Sequence, residues 1–496
     1  MKKYILASLL SVLFLTVSCN KSDDSDISEN FNATEDDKIN FFIWKGLNLY
    51  YLWQEDVPNL ADDRFTNLGD LYTFFSSNSA PEETFNSLLN EYGTIDRFSW
   101  IVDDYVALEN SFQGINLSTG IDFGLVYNKN SSSNIFGYVR YIIPNSPAAI
   151  SGITRGMYFN TVNGIQLTDT NYRSLLFGED TSLSFGLADY NSGNPISNNT
   201  NVSLSKTEIQ EDPIANYKII PDGTKKIGYL LYNQFASSFD QALNSVFSDF
   251  KAAAIDDLII DLRYNSGGST NSASYLGSMV TGQFPNEIYS KEVWNGKITD
   301  YYGADSFINM FPTRIIKKDS NNNVLVDEAI NSLNLQRVYF IVTESSASAS
   351  ELVINSLNAH IDVKLVGTKT VGKQVGSVTL YDSDNLRRSG NNLNPAHTYA
   401  MQPLVLEIKN KNDENYPNGI IPGDNFTGIN LAERIGDLGV LGERSDMLLD
   451  KTLQYISTGS KAAVKKDNLI RSTIIFNSKM ATPAGETMYS KIKRLF

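Results

Sequence analysis

At about 150 residues per domain, a chain of 496 residues has room for about three domains, and its 42% hydrophobic and 20% charged residues are an ordinary folding composition. With 41 Lys and Arg against 56 Asp and Glu, the formal charge of −15 argues against a protein that grips phosphate backbones, so nucleic acid is not an expected partner. The single cysteine, Cys19, excludes an internal disulfide and a Cys-rich zinc site, and two histidines, His360 and His397, exclude a His₃ zinc site. A hydrolase on this chain would take a base other than histidine, and no metal or other cofactor is expected.

Lys2 and Lys3 precede an apolar run from Tyr4 to Val17, which reads as a signal peptide over residues 1–18. The run ends in Leu15-Thr16-Val17-Ser18-Cys19, which resembles a bacterial lipoprotein cleavage box and implies lipidation of Cys19. Residues 19–34 read as an acidic, solvated tether. Asn20-Lys21-Ser22-Asp23-Asp24-Ser25-Asp26 also resembles the export signal of surface lipoproteins in the Bacteroides group. The implied location is extracytoplasmic, with the chain lipid-anchored to the outer membrane on its periplasmic or outer face.

From Glu35 the pattern becomes helical. Phe41, Phe42, Trp44, Leu47, Tyr50, Tyr51 and Trp53 recur at helical spacing, and further helix is expected around 68–75 and 82–92. An aromatic stripe of this kind is core packing, and residues 35–110 read as a helical N-terminal domain. The period then changes. Ile121 to Tyr127 and Gly137 to Ile143 are rich in β-branched and aromatic residues and read as strands. Ser146-Pro147-Ala148-Ala149, Ser151-Gly152-Ile153 and Val162-Asn163-Gly164 follow in an order that closely resembles a PDZ domain, here over residues 111–205. The resemblance implies a groove that takes an extended peptide as an added strand, with Ile121, Asp122, Phe123, Gly124 and Leu125 as the binding loop and strand. A β module used for spacing only is the alternative. The Asn- and Ser-rich stretch 189–201 reads as a long loop within this module or the way out of it.

Residues 206–450 carry an α/β pattern. Ile227 to Tyr232 is a strand, Phe239, Leu243, Val246, Phe247 and Phe250 mark one helix face, and Leu258 to Leu262 is a buried-type strand. A second unit has a strand at 337–343, a helix over 349–359 and a strand at 363–366. Chemistry in such units gathers at the carboxyl ends of the strands, where two motifs stand. Asp261-Leu262-Arg263-Tyr264-Asn265-Ser266-Gly267-Gly268 supplies two glycines that let the backbone approach a ligand, with Asn265 able to lock the turn. Ser345-Ser346-Ala347-Ser348-Ala349-Ser350-Glu351 sits between a strand and a helix, where a serine gains exposed position and the free N–H groups of a helix start. Taken alone, the serine run is better read as an N-cap, with Glu351 completing a capping box.

Thr370-Val371-Gly372-Lys373 follows the next strand. The ordered set Asp-Leu-Arg-x-Asn-x-Gly-Gly, Ser-Ala-Ser-Glu and Thr-x-Gly-Lys, downstream of a PDZ-like module, resembles the C-terminal processing (tail-specific) peptidase family over about residues 95–425. The resemblance implies Ser348 as nucleophile and Lys373 as general base. It places the oxyanion hole at the backbone N–H groups of Ala349 and of Gly267 or Gly268. A lysine base must be neutral, so the fold is expected to bury Lys373 among apolar neighbours such as Val371. Many relatives carry Gln four residues after the lysine; this chain has Ser377, and Glu351 is the next candidate for a supporting catalytic role.

Matches to penicillin-recognising motifs at Ser203, Ser248 and Ser383 lack the Lys-Thr-Gly that should follow and are chance. The expected architecture is a multidomain α+β and α/β protein: a helical N-terminal domain, a PDZ-like β module and an α/β Ser-Lys peptidase domain. The expected function is a serine endopeptidase acting on protein or peptide substrates with accessible C-terminal or unfolded segments. The alternative is a catalytically silent peptide-binding surface protein on the same fold. The segment 451–496 reads as a C-terminal extension without an assigned role.

Overall fold

The computed structural model describes residues 34–319, 322–459, 474–481, 485 and 487–490. The expected signal peptide, Cys19 and nearly all of the acidic tether lie outside these residues.

Thr34 caps the first helix, Glu35–Tyr50, through a reciprocal capping box with Asp37, and the acidic first turn suits the positive helix end. Its aromatic stripe is core: Phe42, Ile43, Leu47 and Tyr50 are buried. They belong to the same apolar cluster as Leu276, Phe340 and Leu406, so the helical region has no core separate from the α/β part. Helix is also found at Leu68–Phe75 and Pro81–Ser87. The latter stops short of the expected 92, because the chain turns at Leu88 while Leu88 and Leu89 still point into the core.

A mainly antiparallel sheet forms the β module. Its order is Ile474–Asn477, Ile121–Tyr127, Ile135–Ile142, Tyr158–Val162, Ser182–Asp189 and Ile196–Ser205, with Ile165–Gln166 paired beside Tyr158–Val162. Within 189–201, residues 190–195 form a loop inside this module, shorter than expected, and strand resumes at Ile196. Its polar side chains suit an edge strand whose residues are largely exposed.

The α/β part is built on a six-stranded sheet of order Ile214–Asp222, Lys225–Tyr232, Asp257–Asp261, Arg337–Val342, Asp362–Gly367 and Gly428–Asn430, parallel except for its first pair. Helix Asp240–Ala253 buries Leu243, Val246, Phe247 and Phe250 against it, and helix Ala349–Asn358 joins the fourth strand to the fifth. Helix Met447–Thr458 runs through the expected boundary at residue 450, because Leu448, Leu449, Leu453 and Ile456 bury one continuous face on the sheet. A second six-stranded sheet contains Gly268–Ser269, Met488–Tyr489, Val375–Ser377, Leu404–Lys409, Ile288–Trp294 and Ile308–Met310. Among the described residues no helix is long and apolar enough to cross a membrane.

Candidate active site

Strand Asp257–Asp261 and strand Arg337–Val342 lie side by side, so the two motifs that follow them meet at one sheet edge. Asn265 joins them. Its amide nitrogen donates to the Tyr232 carbonyl at 2.9 Å, its side-chain oxygen accepts from the Gly267 N–H at 2.9 Å, and its own carbonyl accepts from the Ala347 N–H and the Ser350 hydroxyl. The Ser346 hydroxyl donates across to the Leu262 carbonyl at 2.8 Å.

Ser348 stands at the start of helix Ala349–Asn358 with φ +66° and ψ −117°. A β-carbon residue in that region costs about 1–3 kcal/mol and persists only where the surroundings hold it. Here they do, because the Ser348 N–H donates to Glu351 Oε2 at 2.9 Å and its carbonyl accepts from the Leu352 N–H at 2.8 Å. The side chain is fully buried, and its Oγ makes no hydrogen bond among the described residues. Gly267 presses against it: at φ +120°, a β-carbon there would stand 2.6 Å from Ser348 Cβ and 2.8 Å from Oγ. Gly268, at φ +133°, is equally restricted, since a β-carbon would meet the Phe235 carbonyl at 2.4 Å.

Lys373 is 1% exposed, and its amine lies 4.7 Å from the centre of the Phe98 ring. It lines one small cavity, of about 20 Å³, together with Ser348, Glu351, Leu352, Tyr416 and Met488. By contrast Lys369 is exposed and Lys364 half-buried. Arg97 donates to the Gly372 carbonyl at 3.3 Å, so residues 97 and 98 of the N-terminal region pack against the Gly372-Lys373 segment. The expected neighbour Val371 contributes through its backbone, its N–H donating to the Ser346 carbonyl at 3.0 Å.

Glu351 ties the two halves together. Oε2 accepts from the N–H groups of both Ser348 and Lys373, at 2.9 and 2.8 Å, and Oε1 accepts from the Gly372 N–H at 2.8 Å and the Thr370 hydroxyl at 2.5 Å. Burial pushes its carboxyl above the usual range, against the downward pull of these four bonds. The carboxylate therefore reaches both candidate catalytic residues through their backbones.

Of the three N–H groups expected at an oxyanion hole, that of Gly267 donates to Asn265, Gly268 lies opposite Met488 in the second sheet, and Ala349 opens its helix, where an N–H has no partner inside the helix. Ser377 is buried, with its hydroxyl on Gln402 Oε1 at 2.6 Å and 3.2 Å from the Met488 carbonyl oxygen. Ile121, Asp122, Phe123, Gly124 and Leu125 lie in the strand Ile121–Tyr127, away from Ser348 but linked to its loop. Asp122 is buried and paired with Arg140, whose Nη1 donates to the Ser345 hydroxyl at 2.9 Å. Sequence reasoning missed Phe98, Thr370 and Asn265's second role as a clasp. Thr370 alone carried a signal, since it stands in the Thr-x-Gly-Lys motif.

Peptidase family S41 matches residues 226–388, and the peptidase S41 N-terminal domain matches residues 38–100. The chain is 25% identical over 246 residues to the chloroplastic carboxyl-terminal-processing peptidase 3 of Arabidopsis thaliana, covering 48% of this chain and 43% of that protein. It is 24% identical over 250 residues to a carboxy-terminal-processing protease of Bartonella bacilliformis, covering 48% of each. The matched stretch thus spans less than half the length of these relatives. A solved structure described as an S41 protease from Bacteroides fragilis superposes with a TM-score of 0.60 at 22% identity, covering 84% of this chain and 97% of that one, which establishes the shared fold.

Proposed function

We propose that the chain is a serine endopeptidase of the C-terminal processing type within peptidase family S41, acting on extracytoplasmic proteins. The observation that carries this reading is the pairing of Ser348 and Lys373 in one buried cavity under a single carboxylate clamp. Lys373, neutral at that moment, takes the Ser348 hydroxyl proton as Oγ attacks the scissile carbonyl carbon. The carbonyl oxygen becomes an oxyanion facing the Ala349 and Gly268 N–H groups. As the tetrahedral intermediate collapses, the C–N bond breaks and the lysine proton passes to the leaving amine. Water, deprotonated by the Lys373 amine, then attacks the acyl carbon, the ester C–O bond breaks, and Lys373 returns the proton to Ser348 Oγ. Glu351 is a positioning residue in this scheme.

The PDZ-like β module supports substrate binding by strand addition along 121–125. The acidic, lipoprotein-like leader supports an anchored, extracytoplasmic setting. The test is to compare the wild type with Ser348→Ala and Lys373→Ala on a panel of unfolded and tail-exposed proteins, reading fragments by mass spectrometry. Cleavage by the wild type and at least a hundredfold loss in each variant is expected. Cleavage that survives in Ser348→Ala refutes the assignment, and wild type that binds the panel without cutting it gives the silent peptide-binding alternative.

A further inference from the structure

The segment 451–496 carries no assigned role in the sequence, and its described residues from 474 onward lie along both proposed substrate sites. Ile474–Asn477 is the outermost strand of the β module, antiparallel to Ile121–Tyr127, with Asn477 opposite Gly124, Phe476 opposite Leu125 and Ile474 opposite Val126. That is the edge expected to receive a peptide as an added strand. Phe476 is 2% exposed and packs its ring 5.3 Å from those of Tyr172 and Phe177. Ser478 accepts the Phe123 N–H and donates to Asp122 Oδ2, both at 3.0 Å. Lys479 donates to the Asn233 carbonyl at 2.8 Å and pairs with Glu211 at 3.7 Å.

Farther along, Met488–Tyr489 lies parallel to Gly268–Ser269, with Met488 opposite Gly268 and Tyr489 opposite both Ser269 and Ser377. The Ser490 N–H donates to the Ser377 carbonyl at 3.0 Å, and Tyr489 stacks on Phe112 at 4.2 Å. Met488 is 1% exposed and lines the cavity of Ser348 and Lys373 beside Leu352, Tyr416 and Ile420. The position that a Gly267 β-carbon would take is 3.0 Å from the Thr487 carbonyl oxygen and 2.8 Å from Ser348 Oγ. The tail thus brings a backbone carbonyl and an apolar side chain beside the nucleophile, which is left with no exposed surface and a cavity of about 20 Å³, room for about one water.

We propose that residues 474–481 and 487–490 of the chain are a tethered substrate mimic that fills the β-module edge and the Ser348 cleft together, and so keeps the folded enzyme latent until a competing polypeptide displaces it. The proposal rests on the peptidase reading and deepens it. It also describes the substrate class: an extended, unfolded segment long enough to reach both sites, with a ring at the Phe476 place and an unbranched apolar side chain at the Met488 place. A free amino acid or a short peptide engages one site only and competes poorly with a ligand held at high effective concentration.

The test uses the full chain with Phe476→Asp and Met488→Asp, alone and combined, and a fluorescent synthetic peptide of residues 474–490. Binding is measured in the Ser348→Ala background, so it does not depend on catalysis, and cleavage of an unfolded protein is measured with Ser348 intact. The expected result is that the peptide binds the tail variants at least tenfold more tightly than the unsubstituted tail, that cleavage rises at least tenfold, and that added peptide reverses the rise. Equal peptide affinity with and without the tail substitutions overturns the proposal. Binding gained without any cleavage upholds the tail assignment and refutes the peptidase reading instead. If the Asp variants do not fold, Phe476→Ala and Met488→Ala, which keep the backbone pairing, serve in the same comparison with the same two outcomes.

Discussion

Glu351→Gln replaces one acceptor oxygen by an NH₂ group in a clamp where all four neighbours donate. If the NH₂ takes the Oε2 place, the Ser348 and Lys373 N–H groups both face a donor; if it takes the Oε1 place, the Gly372 N–H does, and the Thr370 hydroxyl must turn although it already accepts the Ile420 N–H at 2.7 Å. Two hydrogen bonds to a charged acceptor, at about 1.5–3 kcal/mol each, set the loss at about 3–6 kcal/mol. A part of that, about 3–4 kcal/mol, is expected at the transition state, since Ser348 holds a strained φ only while its N–H is gripped; this corresponds to a kcat lower by about 10²–10³. Steady-state cleavage of an unfolded protein should show kcat falling with KM nearly unchanged, while urea unfolding reports the remainder. Thr370→Val, which leaves the three N–H donors in place, should cost less than tenfold. A Glu351→Gln enzyme with wild-type kcat but lowered stability would refute the positioning role and leave the carboxylate a structural brace.

Gly267→Ala forces a β-carbon to within 2.6 Å of Ser348 at a φ of +120°, and kcat should fall at least a hundredfold, with circular dichroism showing a retained fold; unchanged kcat would mean that Ser348 tolerates displacement. Arg140→Met leaves the buried Asp122 without its cationic partner and Ser345 without its Arg140 donor, and should cost about 3–5 kcal/mol in urea unfolding; a loss below about 1 kcal/mol would show the pair to be dispensable. Burial raises the Glu433 carboxyl, but Arg155 and Arg263 outweigh it and hold it at about 2, against an ordinary 4.5. A depressed carboxyl contributes stability that is full above the unfolded value and is lost as pH falls, so about 3 kcal/mol should disappear between about pH 4.5 and pH 2. Glu433→Gln should flatten that part of the stability curve, and an unchanged acid slope would exclude Glu433 as its source.

What could be read in the sequence was what short-range pattern encodes. The hydrophobic faces of Leu243 to Phe250 and the β-branched runs at 121–127 and 258–262 place helix and strands within a residue or two of where they lie. The two motifs could be set at strand ends because parallel strands side by side bring their carboxyl ends to one edge. The strand from Ile196 to Asn201 could not, since an edge strand needs no apolar face toward solvent and its Asn and Ser content reads as loop. Phe98 was equally invisible: nothing in a Phe-Ser-Trp triplet says that its ring will cover an amine 275 residues later. The tail strands are two to four residues long and owe their conformation to the edges they join, so no periodicity within them could reveal them.

That dependence explains why the site and its occupant are built differently. Ser348 is held by contacts fixed within the α/β core: the Asn265 clasp, the Ser346 bond to Leu262 and the Glu351 clamp all lie among buried groups. A strained backbone needs such redundancy, because each bond alone is worth no more than the strain it opposes. The described tail residues form only one 3₁₀ turn, Ser478–Ala481, and two short strands that pair with the rest of the chain. The tail is kept by pairing on the outer edge of the β module and between two strands of the second sheet, and by the side chains of Phe476, Ser478, Lys479, Met488 and Tyr489, which a substrate of similar pattern can replace. Exchange of equivalent strands at these two places costs little net free energy, whereas movement of Ser348 would break several buried bonds at once. Displacement of the tail is therefore the step at which the fold can open the site while the catalytic geometry stays as it is.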